Sequence, residues 1–355
     1  MKVALVYDRV NKWGGAERVL LALHKMFPDA PLFTSVYNNK KADWAKIFEI
    51  KTSFLQNFPK AKTAHELYAG LMPMAFESFT FDEYDLVISV TSEAAKGIIT
   101  RPETLHICYC LTPTRYLWSG YKDYFKNSLF RILTKPVVSY LRSWDKIAAQ
   151  RVDAYIAIST EIKSRIKKYY GRDSQVIFPP LMIDVGNQKE ETTGDYFLVV
   201  SRLINFYKRV DIAIKACSEL GLPLKIVGAG MDSKKLKAMA GPSVEFLGNL
   251  TDEDLRVYYK KCRALIFPGR EDFGLTMVEA GAFGRPVIAF RGGGALDIVK
   301  EGVTGEFFNE PTVNSLKQVL KSFDHTRYNT KLCRENSERF SFAGFEKGFK
   351  TFLNI

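Results

Sequence analysis

No stretch of this chain approaches the roughly 18 to 20 uninterrupted apolar residues that a membrane-spanning helix requires. The opening apolar run, Val3 to Tyr7, is too short for a signal segment and meets charge at Asp8, so a cytoplasmic protein is expected. Cysteine stands at five, an odd number, with Cys108, Cys110, Cys217, Cys262 and Cys333 in apolar or helical surroundings. That pattern excludes a disulfide framework and reads as buried thiols. Histidine is scarcer still, at four. No Ser/His/Asp constellation emerges, no repeat is visible, and there is no low-complexity tract.

What is present suits two α/β domains. The 355 residues are 46% apolar and 25% charged, enough for two buried cores. Short β-rich runs at 2–8, 31–37, 85–90, 104–110 and 154–159 alternate with helical patterns at 16–27 and 161–170. Alternation of this kind implies a parallel, doubly wound sheet. Pro179 and Pro180 then interrupt regular structure, and the polar stretch 186–195 follows. The pattern restarts with runs at 196–201, 224–228, 244–248, 264–268 and 286–290. Domains of 1–183 and 184–355 are expected, each Rossmann-like, facing one another across a cleft. Open sheets of this kind bind ligands at the carboxyl ends of their strands. Phe342, Phe345, Phe349 and Phe352 mark an amphipathic closing helix at about 341–353, which has the option of returning to the first domain.

The net charge is +12, and most of it lies in the first half. Residues 1–180 hold 26 Lys/Arg against 17 Asp/Glu, and residues 122–172 hold 12 against 4. Tyr121, Tyr124, Phe125, Phe130, Tyr140 and Trp144 are mixed into that basic segment, a composition suited to an anionic membrane surface. Nucleic acid is set aside, because aromatic and basic residues form no reading motif.

The densest chemistry lies in GREDFGLTMVEAGAFGRPVIAFRGGGALDIVKEGVTGEFF, residues 269–308. Glu271 falls in a loop at the end of a strand, and Glu279 lies eight positions on. A helix starting near Thr276 would put Glu279 in its first turn, where the dipole favours a carboxylate. The amides of Gly274, Leu275 and Thr276 would open that helix as an anion or hydroxyl site. Asp252-Glu253-Asp254 has a metal-site form but follows Thr251, so capping explains it and no metal is expected. Gly228-Ala229-Gly230 lacks the third glycine and the acidic ribose reader of a dinucleotide fingerprint.

This string resembles the signature of glycosyltransferase family 4, in which two glutamates with seven residues between them frame a donor site. The resemblance extends through SRLINFYKRVDIAIKA (201–216), LKIVGAG (224–230) and VEFLGNLTDEDL (244–255). In the first half, GGAERVL (14–20), YDLVISVTSEAAKGI (84–98), YCLTPTRYLW (109–118) and VIFPP (176–180) resemble the branch that builds bacterial surface polysaccharides. It implies the two-domain GT-B fold and retaining transfer of a hexose, often mannose, from a UDP- or GDP-sugar to a glycan or lipid-linked acceptor, without a cofactor. It implies that Glu271 meets the sugar hydroxyls beside Phe273, Gly274, Leu275 and Thr276. Glu279 would accept from the ribose, Arg202 and Lys208 would hold the diphosphate, with Arg209 the alternative to Lys208, and Asn249 and Leu250 would complete the donor site. Gly14 and Gly15 would face the donor phosphates, and Arg115 the acceptor. Many relatives carry a histidine where Leu111 stands, and none of His24, His65, His106 or His325 aligns with it. A GT-B epimerase or phosphorylase, or a silent nucleotide-sugar-binding protein, are the other readings.

Overall fold

A computed structural model describes residues 1–125, 127–183, 185–186 and 194–354, apart from the side chain of Phe130. Two compact units divide between Phe178 and Pro179. Most of the polar stretch 186–195, Asp184 and Lys126 lie outside the described residues.

The first unit holds seven strands: β1 (Val3–Tyr7), β2 (Leu32–Thr34), β3 (Ile50–Thr52), β4 (Leu86–Thr91), β5 (Leu105–Cys110), β6 (Ala154–Ala157) and β7 (Gln175–Val176). They lie in the order β3-β2-β1-β4-β5-β6-β7, and every neighbouring pair is parallel. All residues of β1 and β4 are buried, as befits strands covered on both faces. In this unit the sequence pattern misses β3 and β7, which are three and two residues long.

The second unit repeats the plan with β8 (Phe197–Val200), β9 (Leu224–Val227), β10 (Val244–Gly248), β11 (Leu265–Phe267), β12 (Val287–Phe290) and β13 (Gly305–Phe308), ordered β10-β9-β8-β11-β12-β13 and again parallel. Its core gathers Val199, Ile212, Ile226, Ile266, Ile288 and Leu316 between sheet and helices. The closing helix Phe342–Leu353 counts with this unit; Ser341 caps it, and Phe345 and Phe349 are its buried residues. The five cysteines are free and buried, and burial pushes Cys217 and Cys262 up to about 12. Thr251 accepts from the Asp254 amide at 3.1 Å, so the acidic triplet opens the helix Asp252–Lys261 as capping chemistry requires. Among the described residues no helix is long and apolar enough to cross a membrane.

Candidate functional site

In the second sheet the strand order reverses between β8 and β11. The loops leaving their carboxyl ends flank the position where open α/β sheets take ligands. Glu271 arrives on the loop after β11 with its backbone held from two sides. A Cβ on Gly269 would come within 2.5 Å of the Tyr207 carbonyl oxygen, so only glycine lets the two loops meet. On the other side Gly293 adopts φ 65°, and a Cβ there would stand 2.1 Å from the Glu271 carbonyl oxygen. The Gly294 amide donates to that same carbonyl at 2.9 Å. The triple glycine of the motif therefore seats Glu271.

The loop after β8 supplies the cations. A short helix, Asn205–Lys208, ends because Arg209 turns left-handed at φ 50°, ψ 35°. A non-glycine residue in that region is uncommon and marks a position fixed by its surroundings. The turn directs Lys208 inward, where its ammonium pairs with the Glu271 carboxylate; the side chains are only 12% and 16% exposed. Arg209 points elsewhere and pairs with Asp211 at 3.1 Å. Arg202 is exposed at the end of β8 and donates to the Tyr207 hydroxyl at 3.3 Å. This arrangement offers an anion one exposed guanidinium and one ammonium already engaged with a carboxylate.

The next helix is Leu275–Ala282, with Gly274 at its N-cap and no side-chain cap, so its first-turn amides lie toward the loop. Leu275 and Thr276 are half-buried, whereas the Phe273 ring is 4% exposed and packs 5.6 Å from Phe340. What Phe273 offers the loop is backbone. Glu279 departs from expectation. The helix starts one residue early and no acidic residue falls in its first turn, so the dipole account of Glu279 does not hold. The carboxylate is 3% exposed and accepts a 2.7 Å hydrogen bond from Tyr259. Tyr259 is wholly buried and stacks on Phe283 at 5.5 Å. It belongs to the preceding helix, and no spacing rule pointed to it. Asn249, exposed, and Leu250, half-buried, follow β10 at the edge of the same rim.

At the first unit's own reversal point, between β1 and β4, Asp8 is 3% exposed. It accepts from the Thr91 hydroxyl at 2.7 Å and from the amides of Ser92, Ala94 and Ala95 at 2.7, 3.0 and 3.0 Å. Beside it Arg9 pairs with Glu93 at 2.7 Å. His65 lies 3.4 Å from the Asn11 amide, and burial together with the Arg9 charge lowers it to about 4. Sequence reasoning missed Arg9, Glu93 and His65, because they converge from segments far apart in the chain. Gly14 caps the helix Gly15–Met26 in extended backbone, and Gly15 opens it. Arg115 and Leu111 are half-buried beyond β5, where the Arg115 carbonyl accepts from Gly120 at 2.8 Å.

Residues 184–340 match the model of the Glycosyl transferases group 1 family. The chain is 29% identical over 207 residues, 56% of its length, to an uncharacterized glycosyltransferase of Methanocaldococcus jannaschii. It is 27% identical over 234 residues, 62% of its length, to the O-antigen chain mannosyltransferase C of Escherichia coli. The matches span 58% and 62% of these relatives' own lengths. Among solved structures, Anabaena HepE in complex with UDP-glucose superposes with TM-score 0.73 at 20% identity, covering both chains fully. Two parallel-sheet units of this order, with such neighbours, constitute the GT-B fold.

Proposed function

We propose that this chain, whose second unit carries a Glycosyl transferases group 1 domain, is a retaining glycosyltransferase of family 4. It moves a hexose from a UDP- or GDP-sugar to a glycan or lipid-linked acceptor of a surface polysaccharide. The observation that carries the reading is the meeting of Lys208 and Glu271 at the strand-order reversal of the second sheet. Arg202 and Lys208 take the diphosphate, whose charge grows as it departs, and fixed cations there stabilise the transition state. Glu271 accepts from hydroxyls of the transferred sugar, with the backbone of Phe273 and Gly274 and the first-turn amides of Leu275 and Thr276 closing around it. Glu279, oriented by Tyr259, accepts from the ribose. Asn249 and Leu250 stand at the rim for the base or sugar.

In the transfer the bond from C1 to the leaving phosphate oxygen breaks as a bond from C1 to the acceptor oxygen forms on the same face. The departing phosphate takes the acceptor's proton, so no protein base and no metal is needed. Leu111 then costs this branch nothing essential. In the first unit, Gly14 and Gly15 leave the backbone open to a ligand and Arg115 serves the acceptor. The name of the Escherichia coli relative supports mannose and the HepE complex supports a UDP-sugar; a thermal-shift panel of UDP-, GDP- and ADP-sugars decides the nucleotide. A protein working on lipid-linked acceptors meets an anionic membrane at its cytoplasmic face, and the charge of residues 122–172 supports that partner.

The deciding experiment is Glu271→Ala. Turnover at saturating donor falls by about 10²–10³, as when one preorganised polar group leaves an active site, while circular dichroism stays native. Unchanged turnover removes Glu271 from the site. Nucleotide-sugar binding by the wild type without transfer or hydrolysis would instead favour a silent binding protein.

A further inference from the structure

The helix Ser128–Ala148 has 21 residues and so runs for about 31 Å. One face is built into the first unit: Val138, Leu141, Asp145 and Ala148 are buried, and Asp145 is held by Lys96, by Thr114 at 2.9 Å and by Trp118 at 2.7 Å. A solvated outer face would carry polar residues. Instead Leu129, Ile132, Leu133, Val137, Tyr140 and Ile147 are 65, 66, 69, 48, 54 and 59% exposed. Their spacing places all six on one stripe beside the buried face. The stripe continues onto a neighbouring element. A Cβ on Gly70 would stand 4.0 Å from the Val137 side chain, and Trp144 donates to Glu77 at 2.8 Å, so the segments His65–Leu71 and Met72–Glu77 lie alongside. There Leu67 and Met74 are 72 and 59% exposed.

Exposed apolar groups gathered on adjoining elements mark an interaction surface. The charges around this one select its partner. Lys135 and Lys146 are exposed and Arg131 is half-exposed, whereas the helix's one acid, Asp145, is buried. Glu66 is the exposed acid on the neighbouring turn. Arg142, basic by sequence, is committed to the fold: it donates to the Leu117 carbonyl at 2.7 Å and lies 4.5 Å over the Tyr121 ring. A second copy of the chain would set the basic rims against each other, which like charge disfavours.

We infer that this face inserts into an anionic bilayer, the helix lying in the interface plane with its aliphatic stripe among the acyl chains and Lys135 and Lys146 at the headgroups. The inference rests on the membrane reading above for its lipid, and adds that insertion, not charge alone, holds the chain there. Charge attraction is screened by salt and apolar burial is not.

The test is co-sedimentation with vesicles of phosphatidylglycerol in phosphatidylcholine, at low salt and at about 0.5 M salt. The wild type binds at low salt and keeps a measurable part of that binding at high salt. The triple change Ile132→Ser, Leu133→Ser and Val137→Ser lowers the partition constant about tenfold or more in both conditions, because the buried apolar area is lost. Its melting temperature stays near wild type, since the three side chains are exposed. The pair Lys135→Gln and Lys146→Gln weakens binding at low salt only. No binding by the wild type at low salt overturns the membrane reading itself and this inference with it. Binding that salt abolishes and the serine changes do not affect keeps the membrane but overturns the inserting face. Concentration-dependent dimers in sedimentation velocity, abolished by the serine changes, would assign the face to a second copy and overturn it too.

Discussion

Lys208 and Glu271 satisfy one another, so a diphosphate must win the ammonium from a carboxylate. A nucleoside diphosphate brings no sugar with which to occupy Glu271. Glu271→Gln should therefore bind UDP more tightly than the wild type, by a few-fold to about tenfold, while losing transfer; opposite charges within a few ångströms interact at this order in a partly screened site. Isothermal titration of both proteins measures it, and weaker binding by the variant would mean that the pair does not compete with the ligand. Tyr259→Phe removes the hydroxyl that donates to Glu279 and keeps the ring stack. Donor KM should rise with kcat little changed, since uniform binding appears in KM. Lowered stability with an unaltered KM would assign the tyrosine to the core alone. The place of Glu271 in the loop after β11 was legible in the sequence, whereas its pairing with Lys208 was not. Glu279 was legible only as a type, since its dipole rationale failed and its true partner comes from another helix.

At the scale of elements, the site depends on short and irregular pieces. The four-residue helix Asn205–Lys208 is stopped by a left-handed arginine, and Gly269 lets the β11 loop lie on that turn. Gly269→Ala should push the two loops apart, cost about 1–3 kcal/mol of stability, as overpacking does, and reduce donor affinity more than turnover. Urea unfolding and donor titration together check this; a variant with wild-type affinity would show that loop contact is not needed to aim Lys208. The ten apolar runs read as strands in the sequence all lie in the two sheets, as β1, β2, β4, β5, β6, β8, β9, β10, β11 and β12. β3 and β7 lack an apolar run long enough to show a period, β13 (Gly305–Phe308) opens on glycine and carries Glu306, and left-handed turns have no period at all, so these were not visible. The exposed stripe of the helix Ser128–Ala148 was hidden for the opposite reason: an apolar face reads as core until burial shows which face is covered.

Over the whole molecule, alternation of strand and helix sufficed to anticipate two parallel α/β units; the boundary expected at 183/184 falls instead between Phe178 and Pro179. Charge balance gave only the sign of a surface. Protonation adds a property of the entire fold. His106 is fully buried on β5 with its Nε2 2.8 Å from the Ser89 hydroxyl, and burial lowers it to about 3. A histidine held neutral in the native state contributes stability above its unfolded value near 6.5, and that stability is lost as pH falls from there toward about 3. His65, lowered to about 4, acts in the same direction. The unfolding free energy from urea denaturation should fall as pH drops from 7 to 4, by up to about 1.4 kcal/mol per pH unit for each neutral histidine. His106→Gln should flatten the slope, and an unchanged slope would place the acid sensitivity elsewhere.

The carboxylate of Asp8 has one more consequence. The donors that converge on it, three amides and a hydroxyl at the start of the turn after β4, are the kind that cradle a phosphate in nucleotide-binding units of this topology. The first unit thus comes with its cradle already filled by a tethered tenant. Evicting it should make a vacancy of defined size and sign: Asp8→Gly should lose melting temperature and regain part of it in millimolar inorganic phosphate, a rescue that chloride at equal ionic strength would not supply.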